Sequence, residues 1–96
     1  MMTVYGIRDK VAESIGQQVW LFKADAAAIR FFHDVLSDSK SYPANHPDDY
    51  ELVVLGVLAD DGVITTDGCP SVIFTGTQWK QAKDAAEAAK LDEAIG

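Results

Sequence analysis

The stretch NHPDDYELVVLGVLADDGVITT, residues 45–66, decides how this chain folds. It holds five carboxylates, Asp48, Asp49, Glu51, Asp60 and Asp61, and no lysine or arginine. Between the acids runs Leu52 to Ala59, apolar apart from one glycine. An uninterrupted apolar run of this length, flanked by turn residues, predicts a strand buried on both faces, YELVVLGVLA. Asp60-Asp61-Gly62 then predicts a tight reversal, because glycine adopts positive φ at little cost. GVITT is the expected return strand. On this reading Asp60 and Asp61 are turn residues, while Asp48, Asp49 and Glu51 sit solvated at a strand start. Acids at the ends of an apolar strand also oppose aggregation.

Outward from this pair, the N-terminal side supplies two strands and a helix. TVYGIRD, residues 3–9, and VWLFKA, residues 19–24, carry the β-branched and aromatic residues of strands. Trp20 and Phe22 share one face of the second; Val19, Leu21 and Lys23 share the other. The polar segment between them predicts a loop or helical turn. Asp25 stands where an N-cap belongs, ahead of three alanines. Ala28, Ile29, Phe32, Val35 and Leu36 then recur at helical spacing, with Arg30, His33 and Asp34 turned away. SDSKSYP closes this helix, and a loop runs to about Asp49.

On the C-terminal side, DGCP predicts a turn and SVIFTG a fifth strand. The alanine-rich remainder predicts a helix, with Thr77 as its cap and little to bury. Trp79, Ala82, Ala86 and Ala89 make one line along it; Ala88, Leu91 and Ile95 make a second, so an oligomerisation arm and a surface helix are both open. The expected class is α+β: an antiparallel sheet of four to five strands in the order strand-strand-helix-strand-strand-strand, one helix packed on a face, and a C-terminal helix. Residues 1–76 form the α+β domain and 77–96 the helix, within that domain or appended to it.

Size and charge bound the function. A chain of 96 residues, 48% hydrophobic and 24% charged, fits one globular domain. Its single cysteine, Cys69, forms no internal disulfide and fits a reducing compartment. The start, MMTVYGIRDK, lacks the pattern of a secretion signal. No apolar run approaches the roughly 20 residues of a membrane helix. A soluble, intracellular protein without membrane contact is expected. Of the net charge of −7, residues 1–40 contribute zero, 41–76 contribute −6 with no base, and 77–96 contribute −1. That imbalance weighs against nucleic acid, whose affinity comes largely from phosphate neutralisation.

Metal chemistry has little support. His46-Pro47-Asp48-Asp49 could begin a site, but His33 and Cys69 are the only other soft ligands, and no spacing pattern joins them. Nor does any local pattern activate the Cys69 thiol, and the glycines stand singly rather than in a phosphate loop. No catalytic residue, metal or cofactor is expected, and no enzymatic activity. The remaining candidates are the cations Arg8, Lys10, Lys23 and Arg30, interleaved with Tyr5, Trp20, Phe22 and Phe31. A basic groove with aromatic platforms holds single-stranded nucleic acid. Arg8, Lys10, Lys23 and Arg30 with Tyr5, Trp20 and Phe31 are therefore the candidate nucleic-acid-binding set. The alternative places the aromatics in the core and the bases as ordinary surface charge.

Three stretches, VYGIRDKVAESIG, KADAAAIRFFHDVLSD and NHPDDYELVVLGVLADDGVI, together resemble one family. In that order and spacing the chain is similar to the small nonstructural protein of tailless single-stranded DNA phages, the microviruses of gokushovirus type. The resemblance covers roughly residues 2–75 and leaves out the tail helix. It implies a nonenzymatic protein of the infected bacterial cytoplasm, acting in viral DNA replication or in the switch to single-strand synthesis and packaging, often as a DNA-binding protein. Two functions follow as expectations. One is binding of single-stranded DNA through the seven residues above. The other is an acidic interaction module, a homodimeric adaptor for viral or host replication or packaging proteins. Convergence of the four cations on one face favours the first; pairing of each with a neighbouring acid favours the second.

Overall fold

The computed structural model describes residues 1–95, with side chains through Lys90. Ten elements follow in order: β1 Met2–Asp9, β2 Ser14–Ile15, β3 Trp20–Phe22, α1 Asp25–Ser37, α2 Tyr42–Asn45, a 3-10 turn at Pro47–Asp49, β4 Tyr50–Leu58, β5 Ile64–Thr65, β6 Ser71–Thr75 and α3 Gly76–Ile95. The class is α+β, as expected, with six strands rather than four or five. The extra strand is β2, inside the segment expected to be loop or helical turn. Asp9 accepts from the amides of Val11 and Ala12, which turns the chain so that Ser14 pairs back on Asp9.

All pairings are antiparallel. β1 and β4 form the centre, paired from Met2–Leu58 to Asp9–Tyr50. Each is flanked on its outer side by two short strands instead of one long one. β3 and β2 lie along β1, and β5 and β6 along β4. Leu55 is the extra residue where the β1–β4 register shifts, and Ile73 the extra residue opposite Leu52–Val53. The Asp60-Asp61-Gly62 reversal forms as expected: Gly62 donates to the Ala59 carbonyl at 2.9 Å and takes φ 91°.

The core lies under α1. Tyr5, Ala28, Phe32, Leu36 and Leu52 are buried together, joined by Ile7, Phe22, Ile29, Tyr50, Val54, Ile73, Phe74 and Trp79. The helical stripe expected of α1 is the face that packs. His33, expected to point away, is half-buried and its ring lies 5.1 Å from that of Phe74. It sits one residue beyond Phe32, close enough to the stripe's edge for β6 to reach. The cap also differs. Ala24 holds the N-cap position, without a side-chain hydrogen bond, and Asp25 is the first helical residue. Its carboxylate accepts from the Tyr5 hydroxyl at 2.6 Å, while its charge complements the positive end of the helix.

α3 starts with a reciprocal capping box built on Thr75, not on Thr77. The Thr75 amide donates to Gln78 Oε1 at 2.9 Å, and the Gln78 amide donates to Thr75 Oγ1 at 3.0 Å. Thr77 Oγ1 instead donates to Asp48 at 2.9 Å. Gly76 is wedged against the Pro47 carbonyl, where a Cβ would stand 1.8 Å from its oxygen. Only glycine lets the helix start this close. From Gln81 to Lys90 every residue is exposed, Ala82, Ala86, Ala88 and Ala89 included. Leu91 and Ile95 of the second apolar line lie outside the described side chains.

Candidate functional site

Strand alternation gives the sheet a second face, opposite α1. Met2, Val4, Gly6 and Arg8 of β1 point to it, as do Glu51, Val53, Leu55, Gly56 and Leu58 of β4. Ile15 and Leu21 join from one edge, Ile64 and Val72 from the other. Among the described residues no helix covers this face. Part of its middle is nonetheless buried. Val53 is fully buried without belonging to the cluster under α1. Ile15 and Leu55 lean over Gly6, each 3.0 Å from where its Cβ would be. A cavity of about 450 Å³ opens there, lined by Arg8, Ile15, Leu55, Thr66, Cys69 and Pro70 among others. Toward the rims the face is wet and still apolar: Leu21 is 46% exposed, Ile64 58% and Val72 43%.

The one large charge buried on this face is neutralised in place. Arg8 Nε donates to Glu51 Oε1 at 2.6 Å, and Nη2 contacts the same oxygen. Glu51 is only 7% exposed, so the expectation that it is solvated is corrected. The cause is strand parity: Glu51 lies two residues from Val53 on the same face and directly across from Arg8. Arg8 keeps about a third of its side chain in water. It meets Glu13, Lys10 and Glu51 around a second, shallower depression.

The other cations do not gather around Arg8. Lys10 is exposed at the end of β1, its amide donating to the Asp49 carbonyl at 2.8 Å. Lys23 is exposed just past Phe22, which pairs with Thr3 near the opposite end of β1. Thr3 and Lys10 are seven residues apart, roughly 23 Å of strand. Arg30 is exposed on α1, across the sheet from Arg8. Among the described residues Lys10, Lys23 and Arg30 form no ion pair. The four cations thus neither converge nor pair off one by one.

The aromatic members separate similarly. Tyr5 is fully buried, with its ring 5.8 Å from Phe22 and its hydroxyl on Asp25. Burial, reinforced by the Asp25 carboxylate, pushes that hydroxyl up to about 12. Tyr5 therefore belongs to the core and offers no free ring face. Trp20 and Phe31 are half-buried and pack on each other at 4.9 Å, and Phe31 also meets Phe22 at 5.7 Å. This corner, with Lys23 and Arg30 adjoining in the chain, is the part of the candidate set that stays together at the surface.

Four of the five acids of residues 45–66 have a contact through the carboxylate, and Asp49 contributes its backbone carbonyl. Asp48 holds the start of α3, accepting from Thr77 and from Lys80 at 3.3 Å. The Thr77 hydrogen bond, then the Lys80 contact, lowers its carboxyl below the usual carboxylate range. Asp60 accepts from the N-terminal ammonium at 2.8 Å. Asp61 accepts from the Val63 amide in the turn. Asp49 lends its carbonyl to Lys10. Burial, followed by the nearby Asp9 charge, pushes the Tyr50 hydroxyl up at the same strand start. Among the described residues no three His, Cys, Asp or Glu side chains stand where they could share a metal ion. No helix there is long and apolar enough to cross a membrane. What the surface offers is an apolar sheet face with sheet edges, an acidic flank and one aromatic corner. It can dock a chain or a flat group by burial and hydrogen bonding.

A family model described as Phage ORF5 protein matches residues 2–79, most of the chain. No curated protein and no solved structure matches. The chain belongs to the phage ORF5 protein family.

Proposed function

We propose that this phage ORF5 family member is a nonenzymatic accessory protein of a microvirus-type, single-stranded DNA phage. It acts in genome replication or packaging in the cytoplasm of the infected host, by docking viral or host proteins of that machinery. The observation carrying this reading is the open sheet face, apolar from Leu21 to Val72 and flanked by the acid-only segment. Exposed contiguous apolar surface rimmed by polar residues suits a protein partner. A protein that coats single strands instead needs a continuous basic track with stacking rings. Here Arg8 is held by Glu51 and Lys23 lies at the far end of β1 from Lys10. Self-association belongs to the same reading and is read by sedimentation.

Crosslinking during infection, with and without nuclease, tests the proposal. Replication or packaging proteins joined to the chain after complete nuclease digestion are the expected result. Crosslinks that vanish with nuclease contradict it. One observation favours a second reading. The Trp20–Phe31 corner is followed and preceded in the chain by the exposed Lys23 and Arg30, and would hold one or two unpaired bases. Its signature is salt-sensitive quenching of Trp20 fluorescence by a single-stranded oligonucleotide, lost in Arg30→Ala.

A further inference from the structure

Two edges of the sheet are open, and they differ. Along β3 and β2 the flanking charges are Lys10, Glu13 and Lys23, of mixed sign. Along β5 and β6 they are Asp60, Asp61 and Asp67, and no lysine or arginine occurs between Lys40 and Lys80. Among the described residues β6 pairs with β4 alone, so its outer edge carries no strand. At five residues β6 is the longest of the edge strands, and Val72, Ile73, Phe74 and Thr75 are all β-branched or aromatic. Edge strands are ordinarily blunted by lysine or inward charge, because a bare apolar edge recruits another strand. Here the apolar residues continue into the rim: Val63 and Ile64 are each 58% exposed, and Val72 is 43% exposed on the open face.

From this edge we infer the partner's chemistry, an inference that rests on the protein-docking reading above. The β5–β6 edge takes an extended segment of a partner protein in which apolar residues alternate with lysine or arginine. The segment adds as a strand beside β6. Its apolar side chains lie on the open face next to Val72 and Ile64, and its bases meet Asp67 and Asp61 of the flanking turns, Asp60 being held by the N-terminal ammonium. Backbone bonds supply affinity, and the acid flank selects for positive charge. A second copy of this chain is a poor occupant of this one edge, since it would bring the same acids against the same acids at a net charge of −7 each.

The test uses the full chain and a labelled, end-blocked peptide of about ten alternating lysines and valines, the length of a long strand. A control of equal composition carries its lysines and valines in two blocks. Expected are salt-sensitive binding by anisotropy, about tenfold tighter for the alternating peptide, and slowed amide exchange over residues 71–74. Val72→Lys and Asp67→Lys should each weaken binding about tenfold. Both positions are exposed, so neither variant threatens the core. Equal binding of the two peptides, protection at residues 20–22 instead, or protection of 71–74 by an oligonucleotide and not by peptide would overturn the inference. If the alternating peptide fails while nuclease-resistant crosslinks are recovered, this edge is wrong and the docking reading stands. If both fail, both are wrong.

Discussion

The two faces of the sheet use the same strands to opposite ends. Under α1 the large side chains find apolar neighbours: Phe32 meets Phe74 edge-on at 6.3 Å, and Leu36 of the helix is sealed against the sheet with Tyr5 and Leu52. On the other face Val53 alone of the large side chains is sealed, Leu55 and Ile15 are half-buried at the mouth of the cavity, and the rims stay exposed. The first face accounts for why the chain folds. The second accounts for what the folded chain is available to do. An apolar surface that stability left uncovered is the part open to a partner.

The largest expected effect tests the covered face. Phe32→Ala should destabilise the protein by about 3–5 kcal/mol in urea melts. Phe31→Ala, one residue away at the half-exposed corner, should cost well under half of that. Equal losses would mean that the corner is as much core as the stripe, and the contrast between faces would weaken. Next comes the ion pair of the open face. Glu51→Ala should cost about 1–3 kcal/mol, less than for a fully buried pair because Arg8 can turn to water. In a double-mutant cycle with Arg8→Ala, most of this loss should disappear. A double variant as unstable as the summed singles would remove Arg8 as Glu51's partner.

Tyr5→Phe is a smaller test of the covered face. Losing the hydrogen bond to Asp25 should cost about 1 kcal/mol. The pH dependence follows from the hydroxyl's position near 12, above its unfolded value of 10.0. The neutral form is favoured in the folded state. The contribution is therefore complete below about pH 10 and is lost as pH rises toward about 12. Alkaline titration of Tyr5→Phe should lack that part of the decline. The smallest effect belongs to Asp48→Asn. It should speed amide exchange in the first turns of α3 and leave the sheet unchanged. Because the folded carboxyl is shifted down, its support is present at neutral pH and lost only as pH falls below the usual carboxylate range. Faster exchange across β4 instead would mean that α3 is part of the sheet's stability.

Much of the covered face was legible in the sequence, because periodicity reports burial directly. The 3–4 spacing of Ala28, Phe32 and Leu36 names the packing stripe, the alternation at Trp20 and Phe22 names the inward pair, and the apolar run of β4 announces burial on both sides. Local chemistry also marked the Gly62 turn. Less legible were contacts that join distant residues. Glu51 reads as a solvated acid until the β1–β4 register sets it opposite Arg8. Parity with Val53 was the available clue. Asp25 reads as a cap, but the hydroxyl of Tyr5, twenty residues earlier, draws its carboxylate away from that task. The Thr75–Gln78 box was present as a T-x-x-Q pattern, obscured by Thr77 two positions later. Whether four cations share a face depends on sheet order and on which side α1 crosses, and neither is written in local spacing.

Anisotropy of labelled single-stranded DNA, at two salt concentrations and alongside Arg30→Ala and Arg8→Ala, decides whether the open face serves a protein or a strand of DNA. Expected are no binding tighter than about micromolar at physiological salt, and no loss specific to Arg8. Micromolar or tighter binding that weakens with salt and in both variants would contradict the protein-docking reading, because two arginines on opposite faces of the sheet would then be serving one strand of DNA.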